Sequence, residues 1–271
     1  MGMKTSVVWA DGTFASNTAP LMGPLEECAR QAAEMGYDAM SLTINRPEEL
    51  EAERVIRIMK EYGLKVSGLA TGRCYTVDGL GLAMADPERR SAAVDRMLAH
   101  TELCARLGEA KLIIGAVRGC IQDAGGEAEY KKLFRDSLER LLTRAEPLGV
   151  QLALEAISKI DSDAYCLVGE TAEFIRSFHT PALRLQLDSI HLHTNGETDF
   201  ASEIVKAGDL VGQVDISDLN RMLPDGKHFD FPRLMEALKK IDYQDYLVFE
   251  YRAAPPENAA KVGLEYIRSL M

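Results

Sequence analysis

Eight short apolar runs, each followed by a stretch of helical periodicity, predict an α/β fold, a single (β/α)8 TIM barrel. Three observations point there. Strand-then-helix alternation repeated along a chain calls for parallel strands joined by right-handed crossovers. The 271 residues match the roughly 250 that one such barrel takes. No linker or low-complexity tract divides them, so residues 1–271 read as one domain.

The predicted strands are residues 5–10, 39–44, 65–70, 111–116, 151–156, 183–188, 211–217 and 246–250. Between them, residues 24–35, 47–62, 87–107 and 129–148 carry apolar side chains at helical spacing, and Gly36, Gly63, Gly108 and Gly149 stand where C-capping glycines belong. Pro24, Pro47, Pro87 and Pro232 fall at helix starts, where a missing N–H costs nothing. Fainter helical patterns cover 171–178, 200–206, 231–240 and 257–269. The two longest strand-to-helix connections, 71–86 and 117–126, are glycine-rich and would rim the mouth of a barrel. Glycine there also serves plain turn geometry.

Composition narrows the function classes. A net charge of −11 with no Lys/Arg stripe argues against a nucleic-acid partner and for a small neutral or modestly charged ligand. No apolar run approaches the ~20 residues that span a bilayer, and the N-terminus lacks the basic and apolar regions of a signal peptide. No membrane partner is expected. Cys28, Cys74, Cys104, Cys120 and Cys166 are widely spaced with no CxxC pair, which fits reduced thiols of a cytoplasmic protein better than a disulfide framework or a zinc ribbon.

The chemistry concentrates in four acids. Glu155, Asp188, Asp215 and Glu250 each fall at or next to the end of a predicted strand. Period-2 alternation sets Gln151, Ala153 and Glu155 against Leu152 and Leu154; Arg184, Gln186 and Asp188 against Leu183, Leu185 and Leu187; Gln213, Asp215 and Ser217 against Val214 and Ile216; and Glu250 against Leu247 and Phe249. In a barrel the apolar face lies under the helices, so all four acids point inward at the C-terminal rim. A single strand-end acid serves equally well as a helix N-cap or a solvated loop residue. Four in register would repel one another and raise each other's pKa values, a cost that a bound divalent cation removes.

The segments TGRCYTVDGLGLAMADPERR, KLIIGAVRG, LALEAIS, LQLDSIHLH, VDISDLNRMLPDGKHFDF and YLVFE carry a resemblance over essentially the whole chain. It resembles the xylose-isomerase-like barrel superfamily of sugar isomerases and epimerases, within it the branch of the tagatose and psicose 3-epimerases. The resemblance implies a metal held by Glu155, Asp188, Asp215 and Glu250, with Arg221 six residues past the third ligand. It implies Glu155 and Glu250 as an alternating acid/base pair, and His191, Arg221 and Asp161 as substrate-binding groups. The implied reaction is proton abstraction α to a carbonyl of a sugar or sugar phosphate, through a metal-stabilised enediolate. It further implies a homodimer or homotetramer, since relatives commonly pair. At the third position relatives carry histidine where this chain has Asp215. All-oxygen ligation favours hard cations, so Mn2+ is expected, with Mg2+ and Co2+ as alternatives. Asp161 replaces a glutamate of the relatives, and Asp225-Gly226-Lys227 replaces a Gly-x-Gly, which shifts the loop of His228.

Secondary candidates are Arg73 and Arg118, which follow strands three and four and reach either substrate or a salt bridge pinning a rim loop; His193 and His228; and Trp9, as a stacking surface for a sugar or as barrel filling. His100 and His179 receive no role. Competing readings are a keto-inositol or keto-sugar dehydratase on the same barrel and a non-catalytic sugar-binding barrel with a degraded metal site. A DNA-repair endonuclease is disfavoured by acidity and by too few histidines.

Overall fold

The computed structural model describes residues 2–12, 18–252 and 258–271. Eight parallel strands close into a barrel: β1 (Lys4–Ala10), β2 (Ala39–Thr43), β3 (Lys65–Ala70), β4 (Lys111–Ile114), β5 (Leu152–Glu155), β6 (Leu183–Asp188), β7 (Val211–Ile216) and β8 (Tyr246–Phe249). Neighbours in sequence are neighbours in the sheet, and β1 pairs back onto β8. A two-residue strand, Leu21–Met22, adds to the end of β1. Register shifts at Met40/Ser41 and at Leu185/Gln186 bend the sheet, and past the second of these Asp188 and Asp215 become direct cross-strand partners.

Ten helices surround the strands: α1 (Leu25–Met35), α2 (Ala52–Tyr62), α3 (Arg73–Thr76), α4 (Pro87–Leu107), α5 (Glu127–Leu148), α6 (Val168–Arg176), α7 (Ser189–Thr194), α8 (Phe200–Ala207), α9 (Phe231–Lys240) and α10 (Ala259–Leu270), counted among the described residues. The single helix expected over 47–62 is broken. Pro47–Glu49 form a 3-10 turn, Leu50 and Glu51 are extended, and α2 starts afresh at Ala52. Of the four prolines placed in first turns, Pro24 instead precedes its helix as the N-cap. The short α3 and α7 carry no long periodic pattern, and neither was expected.

Alternation sorts the two faces as the sequence implies. Leu152, Leu154, Leu183, Leu185, Leu187, Val214, Ile216, Leu247 and Phe249 are buried in one continuous core between strands and helices. Trp9 belongs to this outer core, where its indole N–H donates to the Gly23 carbonyl at 2.9 Å, so it offers no face to a sugar. The inward residues fill the barrel from the bottom up. Lys111 is buried with Asp245 at 2.8 Å, and the Ser6 and Ser67 hydroxyls meet at 2.7 Å. Gln186 and Gln213 lie above them, below the acids.

Candidate active site at the C-terminal rim

Four consecutive strands deliver the four acids. Glu155 ends β5, Asp188 ends β6, Asp215 lies in β7 and Glu250 follows β8. Asp188 does two jobs. Its Oδ1 accepts the Ile190 N–H at 3.0 Å and caps α7, which carries His191, while its Oδ2 takes no directed hydrogen bond and points into the acid cluster. Each Asp215 oxygen accepts one carboxamide N–H at 2.8 Å, Oδ2 from Gln186 and Oδ1 from Gln213. Glu155, Asp188 and Asp215 are buried, whereas the Glu250 side chain keeps 19 % of its surface exposed.

His191 and Arg221 are drawn among these acids. His191 Nε2 lies 3.1 Å from Glu155 Oε1 and 3.6 Å from Asp188 Oδ2. Arg221 Nη1 stands 2.6 Å from Asp188 Oδ2 and 3.1 Å from Glu250 Oε2, with Nη2 3.5 Å from the His191 ring. The resemblance implies Arg221 as a substrate-binding group; the structure places it in the lining of the cavity and pairs it with two of the acids. Its backbone explains how: Asn220 and Arg221 are consecutive left-handed residues, at φ 58° and 56°, in a tight loop closed by the Asp218–Met222 bridge.

The charges are mutually tuned. Burial and the neighbouring Glu250, Asp188 and Glu155 push Asp215 well above the usual carboxylate range, against the pull of its Gln213 hydrogen bond. Burial raises Glu250 too, with Asp188 and Glu155 adding to it and Arg221 opposing. For Glu155 burial acts upward, but the nearby His191, Arg221 and Arg118 together outweigh it and hold the carboxyl below its ordinary value. Burial pulls His191 down, yet Asp188 and Glu155 win and its pKa rises.

The donor set fits a hard divalent cation. Ligand atoms of Glu155, Asp188 and His191 lie within 4.8 Å of one another, and so do those of Asp188, Asp215 and Glu250. Asp188 belongs to both groups, and its Oδ2, which takes no directed hydrogen bond, is held in an ion pair by Arg221 Nη1 at 2.6 Å. Carboxylate oxygens suit Mn2+ or Mg2+, and His191 would supply a nitrogen. Arg221 already offsets one of the four negative charges.

The cluster forms one wall of a 340 Å3 cavity lined by residues of β1 to β7 and by Glu250 just past β8. Ser41, Thr43, Thr71, Thr76 and Arg73 line the side formed by β2, β3 and α3. Asp161 is exposed at the cavity's edge, on the segment after β5. Arg118 does not reach the cavity; it is wholly buried and donates to main-chain carbonyls beneath the rim. His193 and His228 are exposed and border a separate surface pocket. His179 sits in a turn at φ 54°, and His100 is buried against the Asn45 carbonyl at 3.3 Å.

Sequence reasoning missed several supports. Asn195 donates to the carbonyls of Ile157 and Cys166 and accepts from the Lys159 N–H, which fixes the segment bearing Asp161. Gln186 and Gln213 were legible as inward-facing, though not as a clamp on Asp215.

A family model described as "Xylose isomerase-like TIM barrel" matches residues 29–270. An L-ribulose 3-epimerase of Methylomonas sp. (strain DH-1) is 24% identical over 221 residues, covering 81% of this chain and 75% of that protein. A 3-dehydro-D-guloside 4-epimerase of Escherichia coli (strain K12) is 26% identical over 256 residues, covering 89% and 92%. Among solved structures, a D-psicose 3-epimerase from Clostridium cellulolyticum H10 with D-tagatose superposes with a TM-score of 0.82 at 15% identity, covering 99% of each chain.

Proposed function

We infer that this chain, which belongs to the xylose isomerase-like TIM barrel family, is a metal-dependent epimerase that inverts a carbon next to a carbonyl in a ketose or keto-sugar. The observation that carries the reading is the delivery of four carboxylates by four consecutive strands into two ligand groups, Glu155–Asp188–His191 and Asp188–Asp215–Glu250, each within 4.8 Å and both containing Asp188. The relatives support it chemically as well. C3 of a 2-ketose and C4 of a 3-keto sugar are both α to a carbonyl, so a 3-epimerase and a 4-epimerase of these kinds need the same proton abstraction.

A divalent cation, Mn2+ before Mg2+ or Co2+, would supply Lewis-acid stabilisation of the oxygen that gains charge as the α-proton leaves. Glu155, Asp188, Asp215 and Glu250 would hold it, with His191 within the same reach. Glu155 and Glu250 enter from β5 and β8, on either side of the Asp188–Asp215 pair. Proton removal by one and return by the other is the arrangement that inverts a centre. Arg221 and His191 orient a substrate oxygen between them, Asp161 meets a hydroxyl at the mouth, and the Ser/Thr wall of β2 and β3 takes the rest of the polyol.

Deuterium wash-in from D2O tests the reading on a panel of ketoses, their phosphates and 3-keto glycosides, with Mn2+, Mg2+ or Co2+ added after chelation. Metal-dependent label at the carbon next to the carbonyl is the expected result. A panel with no label under any metal would defeat the proposal.

A further inference from the structure

We propose that Gly115 and Arg118 form a positioning pair that sets Glu155 in the acid cluster and locks the Asp161 segment to it, resting on the reading of that cluster as a metal site. Strand β4 stops at Ile114 because Gly115 turns away at φ −96° and ψ −117°. A Cβ at this residue would lie 2.5 Å from Glu155 Oε2. Real carbon contacts do not come that close, so the Glu155 carboxylate occupies the space that every other residue type would fill.

The 3-10 turn Ala116–Arg118 then folds Arg118 back beneath the rim, where it is 0 % exposed. A buried guanidinium costs several kcal/mol by order of magnitude unless its donors are satisfied. Here all five N–H groups are used on carbonyls, the full complement of the side chain. Nε donates to Gly115 at 3.1 Å, Nη1 to Ala164 and Tyr165 at 3.2 Å each, and Nη2 to Ile114 at 3.0 Å and to Glu155. None of these partners is a carboxylate, so the salt bridge expected of Arg118 does not form.

The five carbonyls belong to three segments: the end of β4, the end of β5 and the stretch before α6. One side chain therefore fixes the main chain of Glu155 relative to Gly115 and relative to the segment bearing Asp161. Tyr165, left-handed at φ 55°, is held in that conformation where its carbonyl meets Arg118. Lysine cannot replace this pattern, because an ammonium has three donors on one atom and no planar fork.

The test titrates Mn2+ alone into wild type, Gly115→Ala, Arg118→Lys and Arg118→Gln, read by electron paramagnetic resonance, with thermal melting as the check on folding. Gly115→Ala should melt cooperatively yet bind Mn2+ about 10- to 100-fold more weakly, the range seen when a group supporting a ligand is lost. Its crystal structure should show the Glu155 carboxylate displaced from residue 115. At least one Arg118 variant should fold and show weakened Mn2+ binding. Unchanged Mn2+ affinity with Glu155 in place in Gly115→Ala would overturn the pairing, and folded Arg118 variants that lose only thermal stability would reduce Arg118 to a structural role. A wild type that takes no Mn2+ sinks the metal reading instead, and the crystal structures of Gly115→Ala and wild type then judge the positioning alone.

Discussion

Asp188 shows how much one residue is asked to do: it caps α7 with one oxygen and presents the other to the acids, to His191 and to Arg221. The strand-end acids were legible because period-2 alternation fixes which face each side chain takes, and capping does not use up Asp188, whose second oxygen still faces the acid cluster. Roles follow for its neighbours. Glu155→Gln and Glu250→Gln each remove a proton-accepting oxygen while keeping shape, so each should cut deuterium wash-in by at least about 100-fold with a cooperative melt retained; normal exchange in both would reject the acid/base assignment. Asp215→His should move metal preference toward Co2+, measured by competition against Mn2+, since imidazole nitrogen suits softer ions. An unchanged preference would show that residue 215 is no ligand. The Gln186 and Gln213 amides now donate to Asp215, and their oxygens lack partners, so either can rotate to accept from an introduced imidazole.

At the scale of elements, strong periodic patterns were read well and short irregular pieces were not. The helices α4 and α9 begin and end where residues 87–107 and 231–240 predict, because Asp86 and Asp230 cap them and Pro87 and Pro232 start them. The break at Leu50–Glu51 was hidden because Pro47 and the apolar spacing that follows look like one helix start. The turn that aims Arg221 was hidden for another reason: Asn220 and Arg221 both adopt left-handed backbone, and of the two only asparagine hints at that. Asn220→Ala should therefore cost about 1 kcal/mol, read as a lower urea midpoint, while Asn220→Gly should leave the midpoint nearly unchanged. Equal midpoints for both would mean that the loop does not depend on the left-handed residue.

Across the whole molecule, closure of the barrel is what turns four separate strand ends into one site, and eight repeated units made that closure legible from length and alternation alone. The sequence could not reveal how polar side chains are buried inside the shell. His100, on α4, is fully buried, and burial pushes its pKa down to about 4. An unfolded histidine takes up a proton below about pH 6.5 while the folded one resists until about pH 4. Stability from this group is therefore complete above pH 6.5 and is lost as pH falls to 4, on the order of 3 kcal/mol in total. Urea melts between pH 7 and 4 should show that slope, and His100→Gln should flatten it; an equal slope in the variant would assign the acid sensitivity elsewhere.

The pair of buried Lys111 with half-buried Asp245 and the Ser6–Ser67 contact stopper the cylinder at the end away from the acids. Any small molecule that enters the cavity must back out through the same doorway by which it came, since a barrel packed this way is no pore. Departure of one molecule and arrival of the next are then mutually exclusive events, and ligands of every kind compete for a single threshold.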